Sequence, residues 1–119
     1  MSATANAHGL DGTSVAPDWP PLTCDEVRVL LRDYADLTGP VELLSVSPRP
    51  FSAASVVSVG GRRVFVKRHA RAVRRADGLN EEHAFMAHLR AHGASVPLVL
   101  ADSNGTTAIE RDEWTYEVH

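Results

Sequence analysis

The apolar spacing of this chain changes period once, at Gly39-Pro40, and that change restricts the fold more than any other feature. Ahead of it Val27, Leu30, Leu31, Tyr34 and Leu37 recur at helical intervals, while Arg28, Arg32, Asp33 and Asp36 fall on the opposite side. Behind it the residues alternate or run β-branched, as strands do. Carrying both periods in one short chain predicts an α+β fold. The helix has a marked start: in Thr23-Cys24-Asp25-Glu26 the threonine hydroxyl can accept from the amide of Glu26, whose carboxylate reaches back to the amide of Thr23. Glycine and then proline end it. Residues 1–21 are small and polar with three prolines, show neither period, and read as a disordered leader before an N-terminal helical segment at 22–40.

The strand region opens with a short strand from Val41 to about Val46. The run Ser47-Pro48-Arg49-Pro50-Phe51-Ser52 is expected to be a loop, since proline donates nothing to a ladder. Ala54–Val59 and Arg63–Arg68 follow as a hairpin turned at Gly60-Gly61. Alternation puts Phe65 and Lys67 on one face of the second hairpin strand and Val64 and Val66 on the other. A second helix runs from about Leu79 to His92 and stops at Gly93. Its stripe is Leu79, Met86 and Leu89 with Phe85 at the edge, and Glu82, three after Leu79 and four before Met86, is expected on the buried side. An unpaired carboxylate there is costly, so Glu82 calls for a cation. Three more strands are predicted at Leu98–Ala101, Thr106–Glu110 and Trp114–Val118, with turns at Asp102-Ser103-Asn104-Gly105 and near Arg111-Asp112.

Composition excludes several classes. With 119 residues, 44% of them hydrophobic, the chain has room for one modest core. Its apolar runs fall far short of the roughly 18–20 residues a membrane helix needs, and residues 1–18 have neither the basic start nor the apolar block of a secretory signal, so a cytoplasmic location is expected. The single cysteine, Cys24, makes no internal disulfide. The net charge of −3 conceals segregation: residues 43–76 carry eight Arg or Lys and no acid, between two acidic flanks. That basic run could bind nucleic acid through phosphates. No aromatic is interleaved between residues 66 and 84, however, and contact with the acidic flanks or a solvated face accounts for it better. His83, His88 and His92 lie at helical spacing, but without the carboxylates or cysteines that usually complete a metal site they read as surface histidines.

A strand carrying one lysine, Val64-Phe65-Val66-Lys67-Arg68, precedes a helix of pattern Glu82-x3-Met86-x2-Leu89-x3-Gly93-x3-Pro97 and a closing Trp114-Thr115-Tyr116-Glu117-Val118. In this order the segments resemble the N-terminal lobe of the protein-kinase-like fold. In sequence they are most similar to the aminoglycoside phosphotransferase and related small-molecule kinase family, over roughly residues 41–119. The resemblance implies an α+β kinase-like N-lobe: a mostly antiparallel sheet of five to six strands, a packed helix and an additional N-terminal helix. It further implies ATP or GTP with Mg²⁺ as cofactor and a small-molecule hydroxyl as acceptor. Lys67 would bridge phosphate oxygens, Glu82 would hold its ammonium, and Ser52 and Ser55 would stand where the family has a glycine-rich phosphate loop. That loop here, Pro50-Phe51-Ser52-Ala53-Ala54-Ser55, has no glycine. The family's His-Gly-Asp-x4-Asn catalytic motif belongs to a second, C-terminal lobe that also holds most of the acceptor, and it is not found in residues 1–119. The expectation is therefore a nucleotide-binding lobe that is inactive alone, with no catalytic or metal residues of its own. The alternative is a non-catalytic binding or interaction module derived from the same lobe.

Overall fold

The structure, a computed structural model, describes residues 7–8, 14–15, 20–48 and 52–119. The leader reading, at residues 1–21, therefore lies largely outside the described residues, which there are Pro20, Pro21 and a short antiparallel pairing of Ala7–His8 with Ser14–Val15. Helix α1 spans Cys24–Leu31, and both halves of the capping box are made: the Glu26 amide donates to Thr23 Oγ1 (3.2 Å) and the Thr23 amide to Glu26 Oε1 (3.0 Å). Its regular hydrogen bonding stops six residues short of Leu37. Single turns then carry the chain, Tyr34 N–H donating to Leu31 O and Leu37 N–H to Tyr34 O, and these keep Tyr34 and Leu37 on the buried side.

The main sheet has five strands among the described residues: β1 Val41–Pro48, β2 Ser52–Val59, β3 Arg62–Ala70, β4 Ala108–Arg111 and β5 Trp114–Val118. All neighbours are antiparallel, in the order β1-β2-β3-β5-β4, and helix α2, Ala76–Ala91, connects β3 to β4. This is the α+β arrangement expected of a kinase-like N-lobe. Between β2 and β3, Gly60 and Gly61 both take positive φ (54° and 86°). Gly60 also meets the end of the α1 segment, where a Cβ would stand 2.1 Å from the carbonyl oxygen of Thr38.

Three expectations are corrected. Strand β1 continues to Pro48, which pairs with Ala53, because β1 is an edge strand and a terminal proline there leaves no ladder donor unpaired. Strand β2 begins at Ser52, so Ser52 to Ser55 belong to the sheet rather than to a loop. No strand forms at Leu98–Ala101. β5 is already flanked by β3 and β4, so this segment finds only the carbonyl of Val118, to which the Leu100 amide donates (2.8 Å).

The two sheet faces differ in chemistry. Ala53, Val57, Val59, Val64, Val66, Tyr116 and Val118 pack with Leu22, Val27, Leu30, Leu31, Tyr34 and Leu37 into the core under α1. Among the described residues one charge is buried in this layer: Arg68, 2% exposed, gives two hydrogen bonds to Glu26 (2.8 and 3.0 Å) and one to the carbonyl of Pro20, and its guanidinium lies 4.1 Å from the Trp114 ring centroid. Tyr116 donates to the same Glu26 at 2.6 Å. The carboxylate that completes the capping box of α1 is thus also the helix's anchor to the sheet. On the opposite face lie Phe65, Lys67, His69, Glu117 and α2. That helix starts where the Ala76 amide donates to Glu110 of β4 (2.8 Å), a carboxylate at a helix N-terminus, and ends in a Schellman turn with Gly93 at φ 89°. No described helix is long and apolar enough to cross a membrane.

Candidate functional site

The site is the face of β3 and β5 that α2 covers in part. In register, Lys67 of β3 stands between Ala54 of β2 and Glu117 of β5, with Phe65 two residues before it on the same face. Its ammonium lies 5.9 Å from the Phe65 ring centroid, within cation–π range, and forms no ion pair among the described residues. Lys67 is half-buried. A cation so placed, on a rigid strand beside an aromatic ring, is available to an anion.

Glu117 does not neutralise it, because three imidazoles hold that carboxylate. His69 Nε2 donates to Oε2 at 2.7 Å, and His83 and His119 donate through Nε2 to Oε1 at 3.2 and 2.5 Å. Glu117 is 5% exposed, and burial alone would push its carboxyl upward. The hydrogen bonds from His119, His69 and His83, with the charge of His69, outweigh that and hold it well below the usual carboxylate range. His83 is further fixed from behind: Thr107 donates its hydroxyl to Asn80 Oδ1 (3.1 Å), so its oxygen accepts from Nδ1–H of His83 (2.8 Å).

The two residues that the family resemblance pairs, Lys67 and Glu82, are not brought together. Glu82 lies on the outer side of α2, its side chain 55% exposed, and bonds Arg74. The inward position, four after Leu79 and three before Met86, belongs to His83. Ser52 is half-buried at the start of β2, beside residues 49–51, which lie outside the described residues. Ser55 faces the core opposite Val66, fully buried, and its hydroxyl donates to the carbonyl of Ser45. His83 is accordingly no surface histidine, whereas His88 and His92 are exposed neighbours with ring centroids 4.3 Å apart. Several arginines of the basic stretch find acids of the two flanks: Arg68 with Glu26, Arg74 with Glu82, and Arg75 with Glu110 at 3.7 Å. The Glu117 cluster escaped sequence reasoning. Its one visible signal was a carboxylate at the register position of a strand alternation that also carries Thr115 and His119 on the same face.

Beside this cluster a cleft of about 700 Å³ opens between α2 and residues 97–107, lined by His83, Ala87, Pro97, Leu98 and Thr107 among others.

Comparison with known proteins is consistent with this lobe. No curated protein matches the chain, and no solved structure does. The family model described as "Phosphotransferase enzyme family" matches residues 51–115, more than half of the chain, from the start of β2 through the helix to β5. The chain belongs to the phosphotransferase enzyme family.

Proposed function

We propose that this chain is the nucleotide-binding lobe of a cytoplasmic phosphotransferase that uses ATP or GTP with Mg²⁺ and phosphorylates a hydroxyl of a small molecule. The lobe itself is inactive, and the catalytic groups come from a second lobe. The observation that carries the reading is Lys67: a half-buried ammonium on β3, with no ion pair among the described residues, set beside Phe65 on the face opposite the core. Phosphoryl transfer asks the protein mainly to position and neutralise a triphosphate, and a strand lysine with no carboxylate on it suits that task. When bound, the nucleotide supplies the phosphoryl group and Mg²⁺ shields its charge. Mg²⁺ prefers oxygen ligands, and on this face the one buried carboxylate among the described residues, Glu117, is engaged by imidazoles, so the reading gives this lobe the nucleotide and not the metal.

Ser52, at the edge of the segment before β2, is proposed to meet the phosphates alongside Lys67. Glu82 is proposed to support Lys67 only after leaving Arg74, which asks α2 to turn by about 100°, one residue's rotation. Ser55, with its hydroxyl committed to Ser45, stands outside the proposal.

The test is a titration of the isotopically labelled chain with ATP and with GTP, read by amide and side-chain NMR shifts, which register millimolar binding. Saturable shifts centred on Ser52, Ala54 and Lys67, abolished by Lys67→Ala, are expected. Shifts centred on Arg71–Arg75, or none, would refute the reading and favour a lobe-derived interaction module.

A further inference from the structure

The cluster on Glu117 is more than an ion pair. One ring nitrogen of His83, one of His119 and a Glu117 oxygen all lie within 4.8 Å of one another. They come from three places in the chain, the middle of α2, the end of β5 and the residue just after β5, and the sheet register brings them together. We propose that His83, Glu117 and His119 form a binding site for a divalent transition metal of the zinc class, with His69 and Thr107 as supporting partners.

The donor types suit such an ion. Two imidazoles and a carboxylate match borderline cations and not Mg²⁺ or Ca²⁺, which take oxygen shells. The spacing is also close to what is needed. Ligand atoms bound tetrahedrally to zinc stand roughly 3.3–3.5 Å apart. His83 Nε2 is already 3.2 Å from Glu117 Oε1, and His119 Nε2, at 2.5 Å, has to retreat by less than an ångström.

The surroundings are those that orient metal ligands. Each metal-bound imidazole normally donates its other N–H to a fixed acceptor. His83 does so through Nδ1–H to Thr107, itself fixed by Asn80. The second oxygen of Glu117 is kept out of the way by His69. Both ligating rings now point an N–H at one oxygen, two donors crowding one acceptor. A cation in their place would meet three lone pairs instead, the Nε2 proton of His83 leaving to solvent, since its Nδ1 already carries one, and that of His119 leaving to solvent or to its own Nδ1. His83 also lines the cleft beside α2, which offers an entry path and a place for water or another small ligand in the fourth position.

The experiment uses the whole chain with His88→Ala and His92→Ala, which removes the exposed histidine pair as a competing zinc binder. Zn²⁺ is titrated calorimetrically, with Mg²⁺ as the comparison, and X-ray absorption of the zinc-loaded protein counts its ligands. One zinc per chain is expected, bound at least tenfold more weakly after His119→Ala and, separately, after His83→Asn, with no heat from Mg²⁺. The absorption spectrum should show two imidazoles and a carboxylate. Circular dichroism establishes that each variant is folded. Should His83→Asn fail to fold, the half-buried His119 and the absorption spectrum decide. Absence of one-to-one zinc binding, binding indifferent to His119→Ala, or a shell with fewer than two imidazoles would overturn the proposal.

Discussion

Replacing Glu26 by alanine should come close to unfolding the protein, although Glu26 lies in the first turn of a short helix near the surface. Its carboxylate accepts both hydrogen bonds from Nη1 of Arg68, one from Tyr116 and one from the Thr23 amide. Removing it leaves the guanidinium, 2% exposed, with only the Pro20 carbonyl and the face of Trp114 for company. An uncompensated buried charge costs about 3–5 kcal/mol. The lost cap and the unpartnered tyrosine hydroxyl add roughly 1 kcal/mol together or somewhat more. A loss of about 4–6 kcal/mol compares with a total stability of roughly 5–15 kcal/mol for a domain of this size. In urea the midpoint should fall by about 2 M, and the melting temperature by on the order of 20 °C. Two controls separate this cause from a general sensitivity of α1. Arg28→Ala removes an exposed pair with Asp25 at 2.7 Å and should change stability by about 0.5 kcal/mol or less. The double change Glu26→Leu with Arg68→Met removes both charges and should recover most of the loss. A cost under about 1 kcal/mol for Glu26→Ala, or a double variant no better than the single, would show that Arg68 is not the desolvated charge its burial implies.

Two further outcomes follow from single residues. Tyr34 is buried with its hydroxyl unpartnered among the described residues, and burial, with the charges of Asp102 and Asp33, pushes its pKa up. The unfolded chain then loses this proton above pH of about 10 while the folded chain keeps it, so stability falls as pH rises past that value; Tyr34→Phe should raise stability by about 1 kcal/mol near neutrality and flatten the alkaline limb of a melting-temperature profile. Gly61→Ala meets open space at φ 86° and should cost about 1–2 kcal/mol from backbone strain, whereas Gly60→Ala drives a Cβ onto the Thr38 carbonyl and should cost about 3 kcal/mol by urea denaturation; equal costs would refute the close approach.

Local rules made most of the fold readable. The capping box, the Gly60-Gly61 turn, the Asp102–Gly105 turn and the stop at Gly93 are each decided by a few adjacent residues, and each is found in place. What sequence could not supply was the pairing environment. Whether Pro48 ends a strand depends on β1 being an edge, and whether Leu98–Ala101 forms one depends on β5 having both sides occupied. Lys67 was readable because alternation alone puts it beside Phe65. The Glu117 cluster was not, since it joins residues 69, 83, 117 and 119 through the register of β3 with β5 and the seating of α2.

The misplacement of Glu82 has a definite physical cause. Between Leu79 and Met86 a helix has two intermediate positions, three and four residues on, and apolar periodicity favours neither strongly over the other. The choice is made by what the sheet presents. Glu117 already occupies the facing position as a buried anion, and a second carboxylate beside it would add repulsion to desolvation, whereas an imidazole donates to it. Glu82 is left outward, where Arg74 takes it. The seating of α2 is thus a competition between two pairings of one helix: His83 with Glu117, observed, and Glu82 with Lys67, which the proposed nucleotide-bound lobe would require. Each excludes the other, because residues 82 and 83 point about 100° apart. Anything that strengthens His83 on Glu117, a bound cation included, therefore works against Glu82 reaching Lys67.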